Sequence, residues 1–314
     1  MTAALFLAVA FVAFTNGANA NFKGVASLYG SGTTSLRRAA LWGTATTFLG
    51  SLAAIVLAEG ILKSFSGRGL VDDALVASRE FVCAVAMGAA VTSFLATRLG
   101  FPVSTTHCLI GALLGAGSAG GTAIQLAALG SNFFLPLVVS PLLAAVAGVT
   151  LYPLFRTLRL APDSRSPLLD GLHVLSAGAA SFARGLNDTP KMAALMLAVP
   201  GVSASTAILV VGIAIALGGL LDIRRVAETL GKKITGLNPG QGFVASLVTA
   251  GLVTTASASH LPVSTTHVSV GALLGIGIVT RKARWRKIGE VLIAWISTVP
   301  CGAALAALAY WILK

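Results

Sequence analysis

Long apolar runs alternate along this chain with short polar connections, most of them basic. Residues 39–62, 135–154, 204–221, 241–257 and 288–313 are predominantly apolar. Several of these runs reach the roughly 20 residues that carry an α-helix across a bilayer. A membrane β-barrel would instead show segments of about ten residues with alternating polarity. The pattern therefore predicts an all-α polytopic membrane protein.

The polar positions inside this apolar background repeat. Residues 102–117 read Pro-Val-Ser-Thr-Thr-His-Cys-Leu-Ile-Gly-Ala-Leu-Leu-Gly-Ala-Gly. At 160 residues' distance, 262–277 read Pro-Val-Ser-Thr-Thr-His-Val-Ser-Val-Gly-Ala-Leu-Leu-Gly-Ile-Gly. The duplication divides the chain into a first transmembrane repeat (1–158), a polar linker (159–170, with Pro162 and Pro167) and a second repeat (171–314). Each half opens with an apolar stretch that meets a polar cluster, residues 15–23 and 184–191, alignable as Gly-x-Asn-x-x-x-Lys. Polar clusters at membrane depth are costly and face protein or a water-filled cavity. Their Gly, Asn and Pro content predicts helices interrupted at these points. About four crossings per half follow if each Ser-Thr-Thr-His segment is re-entrant, and the Gly-rich stretches 24–32 and 120–130 leave room for a further short crossing.

Composition agrees with a membrane setting. The chain is 56% hydrophobic and 10% charged, against about 25% charged for a soluble globule. Its formal charge of +12 does not point to nucleic acid. The basic residues sit in connections, at Arg37 and Arg38, Arg156 and Arg159, Arg224 and Arg225, Lys232 and Lys233, and from Arg281 to Lys287. That is the anchoring pattern of membrane loops. Cys83, Cys108 and Cys301 lie far apart, with neither metal nor disulfide spacing. Residues 3–14 are apolar and precede Ala18-Asn19-Ala20, but no basic segment comes before them, so cleavage as a signal peptide is not expected.

The repeated hairpins carry the chemistry. Proline suits the first turn of a helix, and the N–H groups that follow lack intrahelical partners. With the hydroxyls of Ser104, Thr105 and Thr106, and of Ser264, Thr265 and Thr266, they offer two anion cradles at the positive ends of helix dipoles. Two facing cradles could surround a tetrahedral oxyanion. A single Ser-Thr-Thr run is more often helix packing; the duplication makes binding the better reading. His107 and His267 follow the cradles and are expected to hold the hairpin shape through a carbonyl rather than to titrate. His173 and His260 have no repeat partner and receive no role.

On these motifs the chain resembles the inorganic phosphate transporter (PiT) family, over essentially its whole length. The resemblance implies inverted repeats, two re-entrant hairpins, a midplane phosphate site and cotransport with sodium or protons. It also implies that Asn187 and Asp188 serve as substrate and coupling-ion ligands in the second half. In the first half only Asn19 carries over. The family's first-repeat Asp is Ala20 here, and its later Asn is Lys23 in one half and Lys191 in the other. Lysines repel sodium and attract oxyanions. The expectation is therefore a symporter for inorganic phosphate coupled to protons rather than sodium, with Lys23 and Lys191 in the substrate site and Asp188 as proton carrier. Two lysines that snorkel to an interface are the competing reading. A sulfate or thiosulfate permease on the same fold is the alternative function.

Other classes fit less well. A Ser–His enzyme needs an orienting third group and has no use for two equal copies. No phosphate-binding Gly-x-x-x-x-Gly-Lys-Ser/Thr loop is present. Matched broken helices suit alternating access better than an open channel. No cofactor, resident metal or nucleic-acid partner is expected. The expected partners are the oxyanion, a proton or sodium ion, and the bilayer of a cell inner membrane, and a homodimer is compatible with this.

Overall fold

The computed structural model describes residues 1–57, 59–221 and 224–314, and among these every regular element is a helix. The first half contributes α1 (Thr2–Ala20), α2 (Ala26–Gly30), α3 (Leu36–Leu57), α4 (Arg79–Leu99), α5 (Thr105–Ala119) and α6 (Leu135–Thr157). The second contributes α7 (Pro167–Met196), α8 (Ala204–Leu221), α9 (Pro239–Ala258), α10 (Thr265–Val279) and α11 (Trp285–Leu313). Among the described residues seven helices are long and apolar enough to cross a membrane: α1 with the turn after it, α3, α4, α6, α8, α9 and α11. The 30-residue α7 is longer than any of them and carries Arg184, Asp188 and Lys191 in its interior.

Lipid-facing positions are plain on α6 and α11, where Leu135, Val138, Leu142 and Val146, and then Ile293 and Ile296, stand exposed. Such a surface suits hydrocarbon, because a helix satisfies its own backbone polar groups. Residues 24–32 form only turns and the five-residue α2. Residues 120–130 lead through one helical turn into α6. Neither stretch holds a further crossing.

Helix breaks occur where the Ser-Thr-Thr-His segments begin. Gly100 (φ 77°) ends α4 and His260 (φ 58°) follows the end of α9, each in the left-handed conformation that reverses the chain. Four residues later Ser104 and Ser264 cap α5 and α10. The prolines thus precede the cap instead of lying in the first turn. At 15 residues, α5 and α10 are about 22 Å long, short of the roughly 30 Å hydrocarbon core. A third break separates α1 from its 3₁₀ turn Asn21–Lys23. The corresponding segment of α7 differs from expectation: the helix runs unbroken through 184–191 with Pro190 inside it. Proline removes one donor and frees one carbonyl, which a helix packed on all sides tolerates. The helix also starts at Pro167, within the expected linker.

The two halves interlock. Helix α1 packs on α8 and α7 on α3; α5 packs on α11 and α10 on α6. Each contact pairs one half with the other, and each has its mirror. Glycine permits these close approaches. A Cβ on Gly17 would lie 2.0 Å from Ile215 O, and one on Gly185 2.0 Å from Thr47 O. A Cβ on Gly115 would lie 1.9 Å from Ala303 O, and one on Gly275 2.2 Å from Ala145 O. Gly115→Val is therefore expected to force α5 from α11 and destabilise the protein by about 1–3 kcal/mol. Gly171→Ala, where nothing lies within 4 Å, should leave the thermal midpoint in detergent unchanged or slightly raised. Equal midpoints for the two variants would contradict this packing.

Candidate functional site

The N-terminal ends of α5 and α10 meet head to head. The His107 and His267 rings are 4.6 Å apart, edge to face, and the two helices then pack on different partners. This is the arrangement of repeats with opposed directions. Each His Nδ1 lies beside a carbonyl on the closing helix of the other half: His107 beside Trp295 O at 3.2 Å, His267 beside Leu137 O at 3.1 Å. Both imidazoles hold the hairpins in place, as the sequence suggested.

The serines serve the helices. Ser104 Oγ accepts from His107 N at 3.3 Å and Ser264 Oγ from His267 N at 3.2 Å. Such N-caps satisfy one of the free first-turn donors and leave the others for a ligand. The threonines point elsewhere. Thr105 Oγ1 accepts from Asn16 Nδ2 at 2.7 Å, and Thr265 Oγ1 donates to Asp188 Oδ2 at 3.3 Å.

Thr106 and Thr266 each receive a lysine from the opposite half. Lys23 Nζ donates to Thr266 Oγ1 at 2.5 Å and to Val103 O at 2.7 Å. Lys191 Nζ donates to Thr106 Oγ1 at 2.9 Å and to Val263 O at 2.7 Å. The two ammonium groups thus occupy mirrored positions between the cradles. Lys191 is 0% exposed and Lys23 5%, so neither snorkels to an interface.

The asparagines are mirrored too. Asn19 Nδ2 donates to Thr97 Oγ1 at 3.0 Å, and Asn187 Nδ2 to Ser257 Oγ at 2.9 Å. Asn19 Oδ1 accepts from Val103 N at 3.1 Å and so ties α1 to the first hairpin. Asn187 Oδ1 accepts from Lys191 Nζ at 2.5 Å.

The mirror fails in charge. Asp188 Oδ1 is 3.1 Å from Lys191 Nζ, whereas the matching first-half position is Ala20. Lys23 has only neutral oxygens as hydrogen-bond partners among the described contacts.

Three further site residues come from the polar clusters 15–23 and 184–191. Arg184, 1% exposed, lies 3.7 Å by Nε from Asp188 Oδ2. Its terminal nitrogens donate to Asn21 Oδ1 at 2.7 Å and to Asn16 Oδ1. The repeat hides Arg184 because its counterpart is Asn16, which carries no charge. An arginine inside an apolar helix one turn before an Asp is the signal that finds it. Together Lys23, Arg184 and Lys191 against Asp188 leave the buried cluster at net +2 with all four ionised. A desolvated excess of positive charge calls for an anion, and the free N–H groups of α5 and α10 point the same way.

Comparison with known proteins bears on the family. A family model described as the phosphate transporter family matches the chain twice, over residues 16–166 and 160–306. The chain is 34% identical over 262 residues to a probable low-affinity inorganic phosphate transporter of Rhizobium meliloti, covering 78% of this chain and 77% of that one. It is 30% identical over 315 residues to a protein of the same description from Mycobacterium leprae, covering 95% and 75%. For the Bacillus subtilis relative of that description the figures are 29% over 321 residues, 96% and 93%. A solved structure titled the sodium-dependent phosphate transporter superposes with a TM-score of 0.87 at 24% identity, over 100% of this chain and 98% of that one. At that identity the likeness is one of fold. With the family model matched in both halves and the fold shared from end to end, this multi-pass membrane protein belongs to the phosphate transporter family.

Proposed function

We propose that the chain is a secondary active symporter for inorganic phosphate, coupled to protons rather than sodium. The observation that carries this reading is the seat of Lys191. Its ammonium lies among four oxygens, Asn187 Oδ1, Val263 O, Thr106 Oγ1 and Asp188 Oδ1, at 2.5–3.1 Å. Oxygen cages with one carboxylate suit a hard monovalent cation, and here a cation fixed to the chain fills the cage. Lys23 fills the mirrored place with two oxygens. A tethered ammonium supplies the charge that a free sodium ion would bring, and leaves little room for one.

The oxyanion then binds between the two hairpin ends, beside Lys23, Lys191 and Arg184. In this reading the segments before α5 and α10 are re-entrant tips at the bilayer midplane. Asn19, Asn187 and Asp188 set the geometry around the ammonium groups, and Asp188 balances the positive charge when the substrate leaves. The relatives compared above are named for phosphate, and no observation favours the sulfate alternative.

The test is uptake of labelled phosphate by purified protein in liposomes, under an imposed pH gradient, with and without sodium, with sulfate as competitor. The expected result is phosphate uptake that follows the pH gradient, ignores sodium and resists sulfate. Uptake that requires sodium keeps the transporter and removes the proton-coupled reading.

A further inference from the structure

A narrow polar cleft opens beside Lys23. It is lined by Lys23, Ser27, Ser246, Thr249 and Ser269, with small and apolar neighbours. From the cleft a continuous series of side-chain contacts leads away from the site. Ser246 Oγ lies 2.8 Å from Ser27 Oγ, and Ser27 Oγ 2.9 Å from His173 Nε2. His173 Nδ1 lies 3.1 Å from Thr33 Oγ1, which is 2.8 Å from Ser31 Oγ. His173 and the two serines beside it are buried, whereas Ser31 and Thr33 are half-buried at the end of α2. The series therefore connects the surface to the interior cleft.

Among the described residues, the mirrored place is apolar. An offset of 168 residues relates Lys23 to Lys191, Ser27 to Leu195 and Leu5 to His173. An offset of 160 relates the two hairpins, and it pairs Ser246 with Ala86, Thr249 with Ala89 and Ser269 with Leu109. Leu5, Ala86, Ala89, Leu109 and Leu195 are all buried and apolar. The fold therefore does not require hydroxyls at these positions. They occur only beside the lysine that lacks a carboxylate.

We propose that Ser31, Thr33, His173, Ser27 and Ser246 form a proton-conducting chain between one face of the membrane and Lys23. This rests on the proton-coupled reading and names its route. A hydroxyl can accept one proton and release another, and an imidazole bonded at both nitrogens can do the same across its ring. A proton arriving at Thr33 passes to His173 Nδ1, and the ring releases the proton on Nε2 to Ser27. Ser27 hands one on to Ser246, and one water in the cleft that Ser246 shares with Lys23 carries it to the Lys23 amine, which becomes an ammonium. When the site faces the other side, the amine gives that proton up there together with the substrate. Contacts of 2.8–3.1 Å leave no passage for an oxyanion, so the cleft conducts protons and not substrate.

The charged groups near His173 are few. Asp170, one turn earlier on α7, is paired with Arg165 at 2.7 Å. Arg165 also donates to Gly32 O and Thr33 O at the outer end of the chain. From α9, Gly242 lies against the ring, where a Cβ would sit 2.3 Å from Cε1. From α2 and the loop after it come only the hydroxyls of Ser27 and Thr33.

The experiment uses full-length protein in liposomes, with a pH-sensitive dye inside and labelled phosphate. Two fluxes are read: net uptake driven by a pH gradient, and phosphate–phosphate exchange, which needs no net proton movement. His173→Gln is expected to lower net uptake about tenfold or more while exchange persists. Ser27→Ala and Ser246→Ala should show the same split. Full gradient-driven uptake by His173→Gln overturns the proposal. So does loss of both fluxes in His173→Gln with neither changed in the two alanine variants, because the ring then acts only in packing. A wild-type protein whose uptake ignores the pH gradient overturns the proton-coupled reading instead.

Discussion

Asp188→Asn is expected to abolish phosphate uptake and to destabilise the fold by about 3–5 kcal/mol, the usual cost of removing one partner from a buried ion pair. Asp188 lies 3.1 Å from Lys191 Nζ and 3.7 Å from Arg184 Nε. Without its carboxylate, Lys23, Arg184 and Lys191 are left buried together with no counter-charge in the cluster. The amide still fills the space and accepts a hydrogen bond from Thr265, so the effect reports charge and not shape. Uptake of labelled phosphate and the thermal midpoint in detergent check both parts. Normal values for both would remove Asp188 from the site.

The second large effect concerns the tethered cations. The double variant Lys23→Asn with Lys191→Asn replaces each ammonium with a neutral oxygen-bearing side chain. Hydrogen bonds to charged groups contribute about 1.5–3 kcal/mol each. Phosphate affinity without sodium should therefore fall by about two to four orders of magnitude for the pair. The oxygens around Lys191 would then be free to receive sodium, and uptake should become stimulated by that ion. Measuring phosphate affinity at several sodium concentrations decides the matter. Unchanged affinity together with an unchanged sodium response would show that the lysines do not take the cation's place.

The membrane class and the two repeats are legible because they depend on long apolar runs and near-identical segments. The depth of Lys23 and Lys191 is not. A stretch of mixed polarity reads alike whether it lies at an interface or is wrapped by other helices, and only the packing of α1 and α7 between α3, α4, α8 and α9 buries it. The expected interruption at 184–191 did not materialise, although Pro190 and Gly185 are both present. Gly185 instead serves contact with Thr47, a use that cannot be told from flexibility in the sequence. Arg184 is not legible from what the halves share, because its counterpart is the uncharged Asn16. His173 is hidden in the same way, since its counterpart is Leu5.

The exchange of lysines between the halves bears on how the empty protein behaves. Each ammonium fastens the carbonyl of its own hairpin to a threonine of the opposite one. An arriving anion competes for those same ammonium groups, and in drawing them toward itself it loosens both fastenings at once. With the proposed coupling, an unloaded carrier stays latched by its own side chains, and the gradient does not drain through it between cycles. The cargo is also the key.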